Sequence, residues 1–166
     1  MNPIPSPGGS TPAGENNLVV ARYRTGEVIK GSTGDFFPER PLFHVLPKGG
    51  GAAVPVKTAE LKGVFFVRSL VGDRNHQKGR SFPKTDPASQ TGRHIAVLFE
   101  DGEVLVGYSQ TYGPEKTGFF VYPADPGSNN TRVYVLRAAT KVIKLGAAAD
   151  EYARIAPPPR ARRPAA

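Results

Sequence analysis

Basic side chains concentrate between residues 68 and 94, where six Lys and Arg accompany only two Asp. Cations spaced along a chain suit a phosphate backbone, because each contact releases counterions without reading base sequence. Phe82 is the one aromatic residue of this segment, which limits stacking on single-stranded bases. The pattern indicates either a nucleic-acid contact or a solvated linker. The nucleic-acid interpretation uses five of these basic residues and three from the first unit: Arg22, Arg24, Lys30, Arg68, Arg74, Lys78, Arg80 and Arg93.

Side chains that catalyse reactions or bind metals are scattered along the chain. His44, His76 and His94 have no carboxylate or nucleophile at a spacing typical of a catalytic site. The acidic cluster at 100–103 lies in a predicted turn and does not continue into a calcium-binding loop. Cysteine is absent, which excludes a thiolate zinc site and a cysteine nucleophile. We therefore expect a protein that is not an enzyme and that uses no cofactor and no metal.

The composition favours turns and short strands. The chain has 166 residues and a formal net charge of +8, with 19 Gly and 17 Pro, too many for a helical bundle. No window reaches the roughly 18 apolar residues that crossing a bilayer requires, and the N-terminus lacks the basic and apolar regions of a secretory signal. Without disulfides to maintain, a reducing cytoplasm is the expected location.

An internal repeat organises the middle of the chain. At an offset of 76, GEVIKG (Gly26 to Gly31) matches GEVLVG (Gly102 to Gly107), and positions 26–47 contain nine identities in 22. After a three-residue insertion the match continues at an offset of 79, through residues 54–64 and 133–143. A repeat of this length predicts two similar structural units.

Each unit is predicted to contain five short strands. In the first unit these are residues 18–24, 27–33, 42–46, 53–57 and 62–67, and in the second they are 94–100, 103–109, 118–122, 132–136 and 141–145. Thr25-Gly26 and Asp101-Gly102 predict tight hairpins, because glycine allows the positive φ that such turns need. Short turns at Thr58 to Leu61 and Arg137 to Thr140 precede the fifth strands. Helical turns are expected from Ala147 to Ile155.

The fold class predicted is therefore all-β, with two tandem five-stranded barrels related by internal duplication and with disordered ends. The predicted divisions are a disordered N-terminal tail (1–17), a first barrel (18–67), a basic linker (68–94), a second barrel (95–145) and a short helix with a Pro/Arg-rich tail (146–166). Pro55 lacks a backbone donor, so the fourth strand of the first barrel is expected at a sheet edge.

Alternation along the strands predicts which side chains face the core. The pairs that stay apolar in both units are Val19/Ile95, Ala21/Val97, Tyr23/Phe99, Phe43/Phe119, Val45/Val121, Val54/Val133, Val56/Val135, Val64/Ile143 and Phe66/Leu145. The positions between them carry more apolar side chains than a lone small barrel exposes, Phe65 and Leu136 among them. Part of that surface is expected to be buried between the two units.

The second unit differs from the first by its aromatic residues. It carries Tyr108, Tyr112, Phe120, Tyr122 and Tyr134 where the first has Ser32, Phe36, His44, Leu46 and Pro55. Tyrosine is enriched where proteins meet, because it combines an apolar body with a polar tip. These five aromatic residues are the predicted partner-binding surface.

The hairpin, the long second loop and the one-turn helix before the last strand give the chain a resemblance to the SH3-like and Sm-like small barrels. The tandem arrangement, with FFVYPADPGSNNTRVYVL (Phe119 to Leu136), resembles a family of uncharacterised bacterial proteins found alongside PilZ-type regulatory domains. The RNA contacts of Sm proteins do not carry over, since Lys62-Gly63 only imitates their Arg-Gly pair. The string from Asp86 to Gly92 has one residue too many for the cyclic-dinucleotide motif of PilZ domains.

These observations predict a cytoplasmic binding or adaptor module that docks a protein partner through the aromatic residues of the second barrel. The alternative is a nucleic-acid binder that uses the basic linker and the first barrel. A cyclic-dinucleotide receptor is a third hypothesis. The sequence does not predict an oligomeric state.

Overall fold

The computed structural model describes residues 17–71, 81–87 and 90–156, which form an all-β protein with one short α-helix. The first half (17–71) contains β1 (Asn17–Tyr23), β2 (Val28–Thr33), β3 (Leu42–Pro47), β4 (Val54–Lys57) and β5 (Leu61–Val67). The second half (90–145) contains β6 (Arg93–Phe99), β7 (Val104–Ser109), β8 (Gly118–Pro123), β9 (Asn130–Leu136) and β10 (Thr140–Leu145). The helix α1 (Ala147–Ile155) follows directly. Every predicted strand is confirmed to within two residues at each end, and the predicted helix has the same bounds.

The ten strands form one antiparallel sheet in the order β10-β6-β7-β8-β9-β5-β1-β2-β3-β4. Each half contributes its strands in the same order, with the fifth strand beside the first. A 3₁₀ turn precedes the fifth strand of each half, at Thr58–Glu60 and Arg137–Ala139. The edge position predicted from Pro55 is confirmed, because β4 ends the sheet.

Backbone hydrogen bonds recur at equivalent positions in the two halves. Both predicted hairpins turn on a glycine with positive φ, 100° at Gly26 and 93° at Gly102. Within the second strand of each half, the carbonyl of Lys30 accepts from the N–H of Lys48, and that of Val106 from the N–H of Ala124, both at 2.9 Å. The two halves therefore share strand order and turn geometry, down to single hydrogen bonds.

The halves are joined by strand pairing between β5 and β9, with Gly63 opposite Val135 and Phe65 opposite Val133. All seven residues of β5 are buried. Side chains that alternate along β5 thus enter two different cores, since Val64 and Phe66 pack in the first half while Phe65 and Val67 pack in the second. Tyr134 and Leu136 of β9 cross in the opposite direction, into the core of the first half.

The predicted core positions are confirmed, with four of them only half-buried: Tyr23, Val54, Ile143 and Leu145. The expectation that apolar surface is buried between the units is also confirmed, because Phe65, Tyr134 and Leu136 are each less than 7% exposed. A third cluster lies on the outer face of the second half, where Ala149 of α1 packs on Ala96, Val106 and Tyr108. The first half has no equivalent of α1 among the residues that the structure describes.

A buried lysine forms ion pairs between the two halves. The Nζ of Lys62, on β5, donates to Asp101 at 2.7 Å and to Glu103 at 2.8 Å, at the β6–β7 hairpin. The same Nζ lies 4.6 Å from the centre of the Phe99 ring. Lys62 therefore binds the turn carboxylates of the other half, and the acidic cluster at 100–103 is partly neutralised within the chain.

Candidate binding face

The five aromatic residues expected to form one docking surface lie in three different places. Tyr108 is 1% exposed and Tyr134 is 4% exposed, so the expectation that both are exposed on a docking surface is wrong. Tyr112, Phe120 and Tyr122 are half-buried. The physical reason is that the β5–β9 pairing and α1 each cover a face that strand alternation alone assigns to solvent.

Phe120 and Tyr134 belong to an aromatic cluster at the junction of the halves. Their ring centres are 5.1 Å apart, and the ring of Phe36 lies 5.3 Å from Tyr134 in an edge-on arrangement. The guanidinium of Arg132 covers the outside of the cluster, 4.2 Å from the Phe66 ring and 5.0 Å from Phe120. Burial, together with the charge of Glu39, raises the pKa of Tyr134. These contacts hold the halves together and leave little aromatic surface open.

Tyr112 packs in the second core rather than on an open surface. Its ring meets Phe119 edge-on at 5.1 Å. Two guanidinium groups lie near the same ring, Arg137 at 5.3 Å and Arg93 at 5.8 Å. Tyr122 is opposite Tyr108 on the neighbouring strand, so these two share the outer face of the second half.

That outer face is covered by the chain itself. The Phe82 ring stacks on the imidazole of His94 with centres 3.9 Å apart and meets Tyr108 edge-on at 5.6 Å. From the other side α1 contributes Ala149, Tyr152 and Ala153. We call the segment 81–87 together with α1 the cap.

His94, at the start of β6, ties both parts of the cap to the sheet. Its Nδ1 donates to Asp150 of α1 at 2.5 Å, and its Nε2 donates to Asp86 at 2.8 Å. The hydroxyl of Tyr108 donates to the other oxygen of Asp86 at 3.0 Å. Ionised carboxylates only accept hydrogen bonds, so this arrangement needs a proton on each nitrogen of the imidazole.

The pKa values around His94 follow from these contacts. Burial by itself lowers the pKa of His94, but the hydrogen bonds to Asp150 and Asp86 outweigh it and hold that pKa above its ordinary value. The His94 hydrogen bond lowers the pKa of Asp86. Burial and the Asp86 contact raise the pKa of Tyr108 to about 12. Pairing with the two carboxylates thus favours the charged imidazolium over the neutral ring.

An open cavity of about 340 Å³ adjoins the cluster, lined by Phe82, Lys84, His94, Asp150 and Arg154 among others. Both imidazole nitrogens are engaged by carboxylates, so His94 presents no free lone pair to the cavity. Within the described ranges no group of three His, Asp or Glu side chains is arranged to hold a metal ion. The cluster therefore connects β6 to α1 and to the segment 81–87 by hydrogen bonds.

The corresponding face of the first half is open. The register across β1, β2 and β3 places Leu18, Ser32 and Leu46 in one row. The next row contains Val20, Lys30 and Lys48, and a third contains Arg22 and Val28. We call these eight residues the open face.

Three large apolar side chains of the open face are exposed, Leu18 by 37%, Val28 by 41% and Leu46 by 45%. Val20 is buried because it packs into the second core. In the second half, Val104 and Val106, which are equivalent to Val28 and Lys30, are buried under the cap. The outer face is thus covered by the cap in the second half and exposed to solvent in the first half.

Both halves match a single family model, that of a family of unknown function (DUF6982), over residues 15–147. This chain belongs to DUF6982. The match reaches the first residue of α1, so the DUF6982 region includes the ten strands and the open face, whereas Asp150 lies beyond it. No curated protein and no solved structure matches the chain.

The basic residues predicted to contact nucleic acid are spread over the DUF6982 chain. Arg22 and Lys30 share the open face, and Arg24 is exposed and donates to the carbonyl of Ala59 at 3.2 Å. Arg68 and Arg93 are exposed, at the end of β5 and the start of β6. Arg74, Lys78 and Arg80 lie outside the described residues. Of the described residues of this set, Arg22 and Lys30 share the open face.

Sequence reasoning missed the partners of the histidines. His44 pairs with Asp35 at 2.7 Å and His94 pairs with Asp86 and Asp150, although no local spacing suggested a carboxylate partner. Contacts across 56 positions, as between His94 and Asp150, leave no local pattern. The sequence did contain one signal of the covered face. Val106, Tyr108 and Ala124 occupy the positions at which the first unit has Lys30, Ser32 and Lys48. An outer face that is this apolar is expected to be covered by another part of the chain. His76 lies outside the described residues.

At nine residues, α1 is the longest helix in the ranges that the structure describes, and no helix there is long and apolar enough to cross a membrane.

Proposed function

We propose that this DUF6982 chain is a non-enzymatic binding module made of two copies of one five-stranded unit of the SH3-like and Sm-like type. The equal strand order, the recurring hydrogen bonds and the nine identities in 22 positions support the duplication. A binding role is supported by the chemistry present, because the titratable groups of the cluster around His94 are paired with one another.

Docking of a protein partner is the function that the geometry supports best, and the open face is its place. The observation that carries this proposal is the exposure of Leu18, Val28 and Leu46 on a face whose counterpart is covered by the cap. Apolar side chains grouped on one surface mark contact sites, because leaving them in water costs free energy that association recovers. The aromatic face expected from the sequence is a weaker candidate, since Tyr108 and Tyr134 are buried.

Affinity capture with matched variants tests this proposal. The full chain serves as bait in an extract of the cells that produce it, beside the double variant Leu18→Ser/Leu46→Ser. Val71→Ser/Ile155→Ser is the control, because these side chains are 73% and 71% exposed but lie away from the open face. Some proteins should be captured by both the wild type and the control. We expect the captured amount of these proteins to be at least about tenfold lower with Leu18→Ser/Leu46→Ser. Equal capture by all three baits contradicts the proposal.

Nucleic-acid binding is the second candidate, favoured by the presence of Arg22, Lys30 and Lys48 on one face. It predicts that the affinity for random DNA or RNA oligonucleotides falls steeply between about 50 and 200 mM salt. It also predicts that affinity is unaffected by Leu18→Ser/Leu46→Ser, because phosphate contacts do not use the leucines. Fluorescence anisotropy with labelled oligonucleotides measures both effects.

A further inference from the structure

The chemistry of the open face defines the kind of partner it fits, on the premise that the proposed docking function holds. Its eight positions include three cations and no carboxylate. Lys30 and Lys48 are both exposed and lie side by side, since the N–H of Lys48 donates to the carbonyl of Lys30 at 2.9 Å. Like charges directly opposite on neighbouring strands repel each other. A carboxylate placed between the two lysines removes that repulsion.

The apolar residues surround the lysines. Leu18 and Leu46 flank Ser32 in the row on one side, and Val28 lies in the row on the other side. A partner must therefore present apolar side chains and carboxylates on the same surface. A purely electrostatic ligand leaves the leucines exposed, and a purely apolar one desolvates Lys30 and Lys48 without pairing them.

The dimensions of the open face favour a helix. Three strands at about 4.8 Å spacing span about 10 Å, which is the diameter of an α-helix with its side chains. Along the strands, the four steps from Leu18 to Arg22 at about 3.4 Å each cover about 14 Å, or roughly two and a half helical turns. The chain itself carries a helix on the equivalent face of the second half, where the nine-residue α1 packs against β6 and β10 and reaches His94 with Asp150.

We infer that the open face binds a short, acidic amphipathic helix of a partner protein, whose carboxylates pair with Lys30 and Lys48 while its apolar side chains cover Leu18, Val28 and Leu46. His94 in the second half is equivalent to Leu18 in the first half. The imidazolium of His94 binds the carboxylate of the cap helix, and on the open face Lys30 and Lys48 bind the carboxylates of the partner helix.

Selection from a display library of random peptides of about 16 residues tests this inference, with the full chain as the target. We expect the enriched peptides to carry net negative charge and apolar residues three and four positions apart, the spacing of one helical face. The double variant Lys30→Glu/Lys48→Glu should bind them at least about tenfold more weakly. Peptides with their Glu and Asp changed to Lys should bind that variant and not the wild type.

Lys141→Glu/Lys144→Glu is the matched control, because these lysines are exposed on β10 in the other half. Unchanged affinity in the control and a melting temperature near wild type in both variants assign the loss to the open face. Enriched peptides that are neutral or basic, or that bind Lys30→Glu/Lys48→Glu as well as the wild type, overturn the inference.

A different result contradicts the proposed docking function itself: every enriched peptide binds the Leu18→Ser/Leu46→Ser variant as tightly as it binds the wild type. Concentration-dependent sedimentation that disappears in that variant identifies a second copy of the chain as the occupant and also overturns the inference. Oligonucleotide binding that is lost in Lys30→Glu/Lys48→Glu, with no acidic peptide enriched, also overturns the inference, in favour of nucleic acid.

Discussion

The Nδ1 of His94 donates to Asp150 at 2.5 Å although 56 positions separate the two residues in the chain. This contact joins the first residues of the second half to the helix that follows it. Asp86 holds the opposite nitrogen of the same imidazole, so one side chain anchors both parts of the cap. The cap covers an outer face whose counterpart in the first half is open, and the difference between the two faces is the basis of the proposed function.

Loss of the His94–Asp150 pair should loosen α1. Asp150→Asn keeps the size of the side chain but weakens a charge-assisted hydrogen bond, for an expected loss of about 1 kcal/mol because the carboxylate is partly exposed. Amide hydrogen exchange of α1 measures the effect, which should appear as faster exchange there and not in β5. Glu151→Gln, an exposed neighbour on the same helix, is the control. Equal exchange in both variants contradicts the assigned role of Asp150.

The attachment of the cap should depend on pH. The pKa of His94 is raised in the folded protein, so its stabilising contribution is complete below the ordinary value of about 6.5 and is lost as the pH rises through the raised pKa. The pKa of Asp86 is lowered, so its contribution is present above about 3.8 and is lost as the pH falls through the lowered value. The cap should be held best between about pH 4 and 6.5.

NMR titration of the His94 ring protons tests that expectation, with His94→Gln used to assign the resonance. We expect a midpoint above about 6.5 in the wild type and a lower midpoint in Asp150→Asn. A midpoint that is the same in the two proteins argues against the pairing.

Lys62 should matter much more than its counterpart in the repeat. Lys62 is 7% exposed and binds two carboxylates of the other half, whereas Lys141, at the equivalent position, is exposed. Lys62→Ala should lower the free energy of unfolding by about 2 kcal/mol, because it removes two charge-assisted hydrogen bonds and a buried stem. Lys141→Ala should change it by less than about 0.5 kcal/mol. Urea denaturation measures both, and equal effects of the two substitutions refute the structural role of Lys62.

Much of the fold followed from local patterns. Gly26 and Gly102 mark the hairpins, and the matched apolar positions from Val19 to Phe66 mark the strands and their inward faces. Alternation fails at Phe65 and Tyr134, because the β5–β9 pairing buries both faces of the strands that carry them. That pairing is a contact between units, and no pattern within one unit encodes it.

The site was harder to predict for the same reason. Tyr108 was expected outside because nothing in β7 indicates that Phe82 and α1 cover it. No pattern within one strand predicts the open face, because Leu18, Val28 and Leu46 lie on three strands and only the register across these strands places them together.

Mapping a bound peptide on the full chain tests the central claim most directly. In a ¹H–¹⁵N correlation spectrum, titration with the best acidic peptide should shift the amides of β1, β2 and β3, with the largest changes near Leu18, Lys30 and Leu46. The amides of Ala96 and Tyr108, under the cap, should stay in place. Shifts centred on the second half or on α1, with none on the open face, would contradict the account.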